Sequence, residues 1–292
     1  MERQPHWKCR VQKYPVFVMC GSDYQRRRLL QVIDPESKYK SKALLPFLGK
    51  RLIDWQLGAL SKSPYVEGLY LIGLSEADAQ FDYPVQYVPI ETSSEFLDKL
   101  LTGLDYLSSQ GKDPELVVIS TCDTPGIRAE DINNFFEQLN ARDGEEFLLS
   151  LVPEDLIEAD FPGSRRVVMR FRDYQLVPGE MYALSPRAIQ VGKEFIAGIS
   201  QRRRQINRQA HKINPSPVIR LLAKKPPMWG VILKYLLKAA SLADAERAIT
   251  RSFNCKSKAV IIPNAGFGMD MDLPEDYERL EAYVQAMLAN LG

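Results

Sequence analysis

Asp123 stands where an apolar run stops. Val117-Val118-Ile119-Ser120-Thr121-Cys122 precede it, and Thr124-Pro125 follow. A β-branched run bounded upstream by Gly111-Lys112-Asp113-Pro114 reads as a buried strand, which the proline ends. A carboxylate at the carboxyl end of a parallel strand faces the crevice where open α/β sheets bind ligands. The plainer alternative is that Asp123 caps the turn into the next helix. A second acidic pair, Asp270 and Asp272, lies far along the chain, just before Pro274. Its plainer role is to favour the N-terminus of a last helix. Early in the chain Gly21 leaves a first strand, and a basic loop follows with Arg26-Arg27-Arg28 and then Lys38, Lys40 and Lys42. These residue types together suit a nucleoside triphosphate. Backbone N–H groups and cations hold the phosphates, while two carboxylates hold Mg²⁺, which takes oxygen ligands.

Elements must bring these residues together. Pro15 to Cys20 is apolar throughout, as a strand covered on both faces should be. Further strands are expected at Val66–Ile72, Val85–Val88, Val117 onward, Phe147–Val152, Met181–Leu184 and Lys258–Ile262, with Arg165–Arg172 alternating like another. Leu52 begins a helix. The small hydroxyls of Thr92, Ser93 and Ser94 suit the N-cap of a helix defined by Phe96, Leu97, Leu100, Leu101 and Leu104. Ile132, Phe135, Phe136 and Leu139 share one helix face. Pro274, with acids around it, opens the final helix. Strand alternating with helix over this length predicts a doubly wound, parallel α/β sheet.

Bulk composition excludes several classes. The 292 residues carry 38 basic and 37 acidic side chains, so no global footprint of a nucleic-acid binder exists. Cys9, Cys20, Cys122 and Cys255 make no CxxC pair, which argues for a reducing cytoplasm and against a disulfide framework or zinc site. Cys20 and Cys122 read as small buried hydrophobes near the cleft. Only His6 and His211 are present, too few for a histidine metal site or a Ser-His-Asp triad. No apolar run reaches the ~20 residues a bilayer span needs.

The motifs in order resemble the MobA-like nucleotidyltransferases of the nucleotide-diphospho-sugar transferase (GT-A) superfamily. The matching stretches are Val18-Met19-Cys20-Gly21, Lys42-Ala43-Leu44-Leu45-Pro46-Phe47-Leu48-Gly49-Lys50, Ser120 to Pro125, and Asp270 to Asp276. The resemblance covers residues 15–190 and 256–292. It implies a Rossmann-like, doubly wound mixed sheet; the chain is expected to form one domain over residues 1–292, with a helical insertion at about 190–255, before the last strand and helix, that exceeds the family's core. It implies Mg²⁺-dependent transfer of a nucleoside monophosphate from a triphosphate to a phosphorylated small molecule, with release of pyrophosphate. Cys20, Gly21 and Ser22 would wrap the triphosphate and Lys42 would neutralise its charge. Asp123 would hold Mg²⁺ with Asp270 or Asp272. Thr92, Ser93 and Ser94 stand where the family reads the base, and Gly179 and Glu180 where it meets the acceptor.

The first loop departs from the family's G-x-G-x-x-R, since Gly21 is followed by Ser22-Asp23-Tyr24-Gln25. This loop supports one alternative to transfer, a weakened, nucleotide-binding regulator; a second alternative is a glycosyltransferase of the same fold using a nucleotide-sugar. The latter class shows its D-x-D at the end of a central strand, whereas Asp270-Met271-Asp272 precedes the last helix.

Within the insertion, Lys224 to Lys238 sets a tryptophan and an apolar body between basic flanks. Trp229, Ile232, Leu233, Leu236 and Leu237 are expected to bury one helix face against a helix, the core or a second subunit. The alternative is a face lying on a membrane surface, rimmed by Lys224, Lys225, Lys234 and Lys238. The expected location is cytoplasmic, peripheral to the membrane on that second reading.

Overall fold

The computed structural model describes the backbone of residues 11–21, 28–208 and 216–290, and side chains over 11–21, 29–199 and 219–290. In chain order the elements begin with β1 (Tyr14–Met19), α1 (Arg28–Ile33), β2 (Pro46–Phe47), β3 (Lys50–Arg51), α2 (Leu52–Leu60), β4 (Val66–Ile72) and β5 (Val85–Val88). Then follow α3 (Phe96–Ser109), β6 (Val117–Thr121), α4 (Ala129–Asn140), β7 (Phe147–Pro153), α5 (Glu154–Asp160), β8 (Met169–Arg170) and β9 (Gln175–Leu184). The chain continues through α6 (Pro186–Arg208), α7 (Ser216–Leu222), α8 (Trp229–Leu236), α9 (Leu242–Phe253), β10 (Ser257–Ile261) and α10 (Pro274–Ala289).

Eight strands form one sheet in the order β10-β7-β9-β6-β1-β4-β5, with β8 paired to β9. β1 is parallel to β4 and β6, β4 to β5, and β7 to β10. β9 runs antiparallel between β6 and β7, which makes the sheet mixed rather than wholly parallel. β2 and β3 make a separate small hairpin.

Alternate residues of each strand feed two cores. Val16, Val18 and Val118 point to a layer that holds Leu52, Ile53 and Leu57 of α2, Phe135 of α4 and Leu280 of α10. Phe17, Val117 and Ile119 point the other way, onto Leu100 and Leu107 of α3 and Ile189 of α6. Each such side chain, fully buried, contributes roughly 1.5–3 kcal/mol. Helices on both faces therefore fix the strand ends, and with them the position of Asp123.

Three local expectations need correction. Arg165–Arg172 gives only the two-residue β8, because the segment meets β9 at its outer end and pairs with no second strand among the described residues. The N-cap of α3 is Glu95, without a side-chain cap bond. Thr92 instead donates to the Gly73 carbonyl, so its hydroxyl ties two loops together. In α8 and its C-cap, Trp229, Leu233, Leu236 and Leu237 are exposed and Ile232 is half-buried, so among the described residues of the chain this face covers neither another helix nor the core. The inward face of this region is built by Met228 and Val231, which already fill the contact with Ala240 and Ala248.

Candidate active site

The site forms where β6 ends. Val117 to Ser120 are fully buried, and Asp123 follows the strand, itself 4 % exposed. The loop after β10 crosses to this point, and Met271 N–H donates to the Asp123 carbonyl at 3.0 Å. Close backbone approach permits the crossing. A Cβ at Gly266 would sit 2.2 Å from the Gly126 carbonyl oxygen, so no larger residue fits there. The crossing brings Asp270 and Asp272 to Asp123, and one carboxylate oxygen from each lies within 4.8 Å of the others.

Lys42 enters from the basic loop. Its ammonium contacts Asp123, lies 2.6 Å from Asp272 Oδ1, and donates to the Met271 carbonyl at 3.3 Å. Ser41 fixes the approach by donating to the Gly21 carbonyl at 2.8 Å while accepting from Ala43 N–H. The other loop lysines are held elsewhere: Lys38 pairs with Glu36 at 2.9 Å and Lys40 with Asp78 at 3.1 Å.

Two cations that sequence reading missed support the site. Arg166 contacts the Asp270 carboxylate, donates to its carbonyl at 2.6 Å and lies 3.5 Å from Asp276. Burial pulls the Arg166 pKa down, but Asp270, Asp276 and Glu180 outweigh it and the guanidinium stays charged. Burial raises the Asp270 pKa, Asp272 adds to that, and Arg166 opposes it. Burial likewise raises Asp276, against Arg166. Lys99 is the second cation. Although 4 % exposed, it donates to the Cys20 carbonyl at 3.1 Å and the Thr92 carbonyl at 2.5 Å. It thus joins the end of β1 to the loop before α3. The signal for Lys99 in the sequence is a lysine beside Leu100 on an apolar helix; Arg166 has none beyond its charge.

The remaining expected residues are spread around this centre. Gly21 is exposed next to Ser41, and Cys20 is fully buried. Thr92 is buried, with Ser93 and Ser94 half-buried beside it. Gly179 lies in β9 against Ser150 and Phe267, and Glu180 is half-buried within electrostatic reach of Arg166. Ser22 falls outside the described residues, as do Asp23, Arg26 and Arg27 of the same loop and His6, Cys9 and His211. The donor set suits a hard divalent cation: three carboxylates converge, and an ammonium already bridges two of them.

Comparison with known proteins gives this geometry a family context. Residues 37–156 match the MobA-like NTP transferase domain. The chain therefore carries a nucleotidyltransferase domain. The MobA-like segment includes Lys42, Thr92 and Asp123 and ends before Asp270 and Asp272. A hypothetical transferase from Thermus thermophilus has a similar structure, with TM-score 0.69 and 21 % identity, over 91 % of this chain and 100 % of that one. CMP:2-keto-3-deoxy-manno-octonic acid synthetase complexed with CTP is similar at TM-score 0.52 and 13 % identity, over 94 % and 99 %. A 4-diphosphocytidyl-2C-methyl-D-erythritol synthase from Anaerococcus prevotii gives 0.50 and 11 %, over 94 % and 99 %. At these identities the likeness shows the shared fold. No curated protein matches the sequence.

Proposed function

We propose that the chain transfers a nucleoside monophosphate from a nucleoside triphosphate to a phosphorylated small molecule, releasing pyrophosphate. The observation that carries this reading is the meeting of Lys42, Asp123, Asp270 and Asp272 from three distant stretches at the end of β6. An oxygen of the acceptor phosphate attacks the α-phosphorus, and the bond to the bridging oxygen breaks with its electron pair leaving on pyrophosphate. Asp123, Asp270 and Asp272 would hold Mg²⁺, which when bound would supply neutralisation of phosphate charge. Lys42 turns from the carboxylates to the phosphates. Ser93 and Ser94 would read the base, with Thr92 holding their loop through the Gly73 carbonyl, and Gly179 and Glu180 would meet the acceptor. This is catalysis by positioning and charge neutralisation.

The whole chain is proposed to act as one unit, with α6 to α9 as an insertion before β10. A cytoplasmic location is supported by Cys20, Cys122 and Cys255, all free and buried. Soaking crystals with each of the four nucleotides and Mg²⁺ tests the reading. Triphosphate density against Lys42 and the three aspartates is expected; density elsewhere, with the aspartates uninvolved, would contradict it.

A further inference from the structure

The outward face of α8 is apolar and the surrounding sequence is strongly basic. Trp229, Leu233, Leu236 and Leu237 are 62, 60, 66 and 70 % exposed, and their spacing puts them on one side of the helix. Pro226 and Pro227, just before the helix, are exposed as well. The Trp229 indole N–H is satisfied by the Ala223 carbonyl at 2.8 Å, so the ring presents apolar surface without an unpaired donor. Lys224, Lys234 and Lys238 are exposed around this face, with Lys234 3.3 Å from Asp244. Between residues 186 and 240 the sequence has twelve lysines and arginines and one glutamate, while the whole chain nets +1. Positive charge is thus concentrated in the segment that exposes the apolar face.

We propose that α8 docks this chain on an anionic lipid surface. Charge complementarity selects that occupant. A second copy packed face to face across a two-fold axis would set the lysine rim against itself, and like charges across an interface are unfavourable. An anionic bilayer instead attracts the rim while its acyl boundary receives the apolar side chains. The helix spans about 12 Å at 1.5 Å per residue, which suits lying in the interface. Among the described residues no helix is long and apolar enough to cross a membrane. The inference is independent of nucleotidyl transfer.

Sedimentation of the full chain with vesicles tests it, comparing phosphatidylcholine alone with phosphatidylcholine containing phosphatidylglycerol. Binding is expected only with phosphatidylglycerol and should weaken as salt rises. Combining Trp229→Glu with Leu233→Glu should weaken it about tenfold or more while leaving the melting temperature unchanged, since both side chains are exposed. Combining Lys224→Gln with Lys238→Gln should flatten the salt dependence while keeping the apolar face. No binding by the wild-type chain, or binding unchanged in the Trp229/Leu233 variant, would overturn the proposal. So would a concentration-dependent dimer, seen by ultracentrifugation, that this variant abolishes.

Discussion

Lys42 Nζ lies 2.6 Å from Asp272 Oδ1, although the two residues are 230 positions apart. The ammonium also contacts Asp123, so it bridges two of the three converging carboxylates. Lys42→Ala should therefore lower the stability of the metal-free protein by about 3 kcal/mol, because buried carboxylates lose their partner. Mg²⁺ should restore part of that loss. Triphosphate binding should weaken more than monophosphate binding, measured by calorimetry. Equal weakening for both nucleotides would assign Lys42 a purely structural role.

Arg166 holds Asp270 and Asp276, while Lys42 holds Asp123 and Asp272. Arg166→Ala should destabilise the chain by about 3 kcal/mol, as breaking a buried pair leaves its charges uncompensated. Arg166→Lys should recover only part of this, since an ammonium lacks the planar fork that reaches both partners. Thermal denaturation of the two variants checks the order.

Asp244 accepts from Ser241 N–H at the start of α9 and pairs with Lys234 and Arg247. The backbone bond chiefly lowers its pKa, to about 2, with burial opposing and the two cations helping. A depressed carboxyl stabilises the fold above its unfolded value near 3.8, and that contribution is lost as pH falls through about 2. A carboxyl NMR titration should find its midpoint near the lower value. A midpoint at the unperturbed value would mean the cap at α9 does not persist in solution.

Gly73 adopts φ +105°, and a Cβ there would stand 2.0 Å from the Cys20 carbonyl oxygen. Gly73→Ala should cost about 2 kcal/mol, by strain and by pushing the end of β4 from the loop that Thr92 and Lys99 hold. Chemical denaturation measures the loss; a neutral change would show that the loop relaxes freely.

Much of this arrangement is legible in the sequence because it rests on local pattern. The apolar runs of β1, β4 and β6 and the Ile132-Phe135-Phe136-Leu139 stripe of α4 mark elements whose periods are visible in the chain. The insertion of β9 between β6 and β7 is not legible, since strand order is set by long-range packing. Arg166 and Lys99 escape a sequence reading because a buried cation is defined by partners distant along the chain. The outward turn of α8 is left open by the sequence because an apolar helix face has the same period whether it meets a core or a solvent boundary.

The most direct measurement is pyrophosphate release from each of the four nucleoside triphosphates, with Mg²⁺ and a mixture of phosphorylated acceptors. The wild-type chain should release pyrophosphate with at least one nucleotide, in an acceptor-dependent manner, and EDTA should stop it. Asp123→Asn keeps the shape of the side chain but removes its charge, and should abolish turnover. Acceptor-dependent release that persists undiminished in Asp123→Asn, or no release with any nucleotide and acceptor, would contradict the assignment of this site.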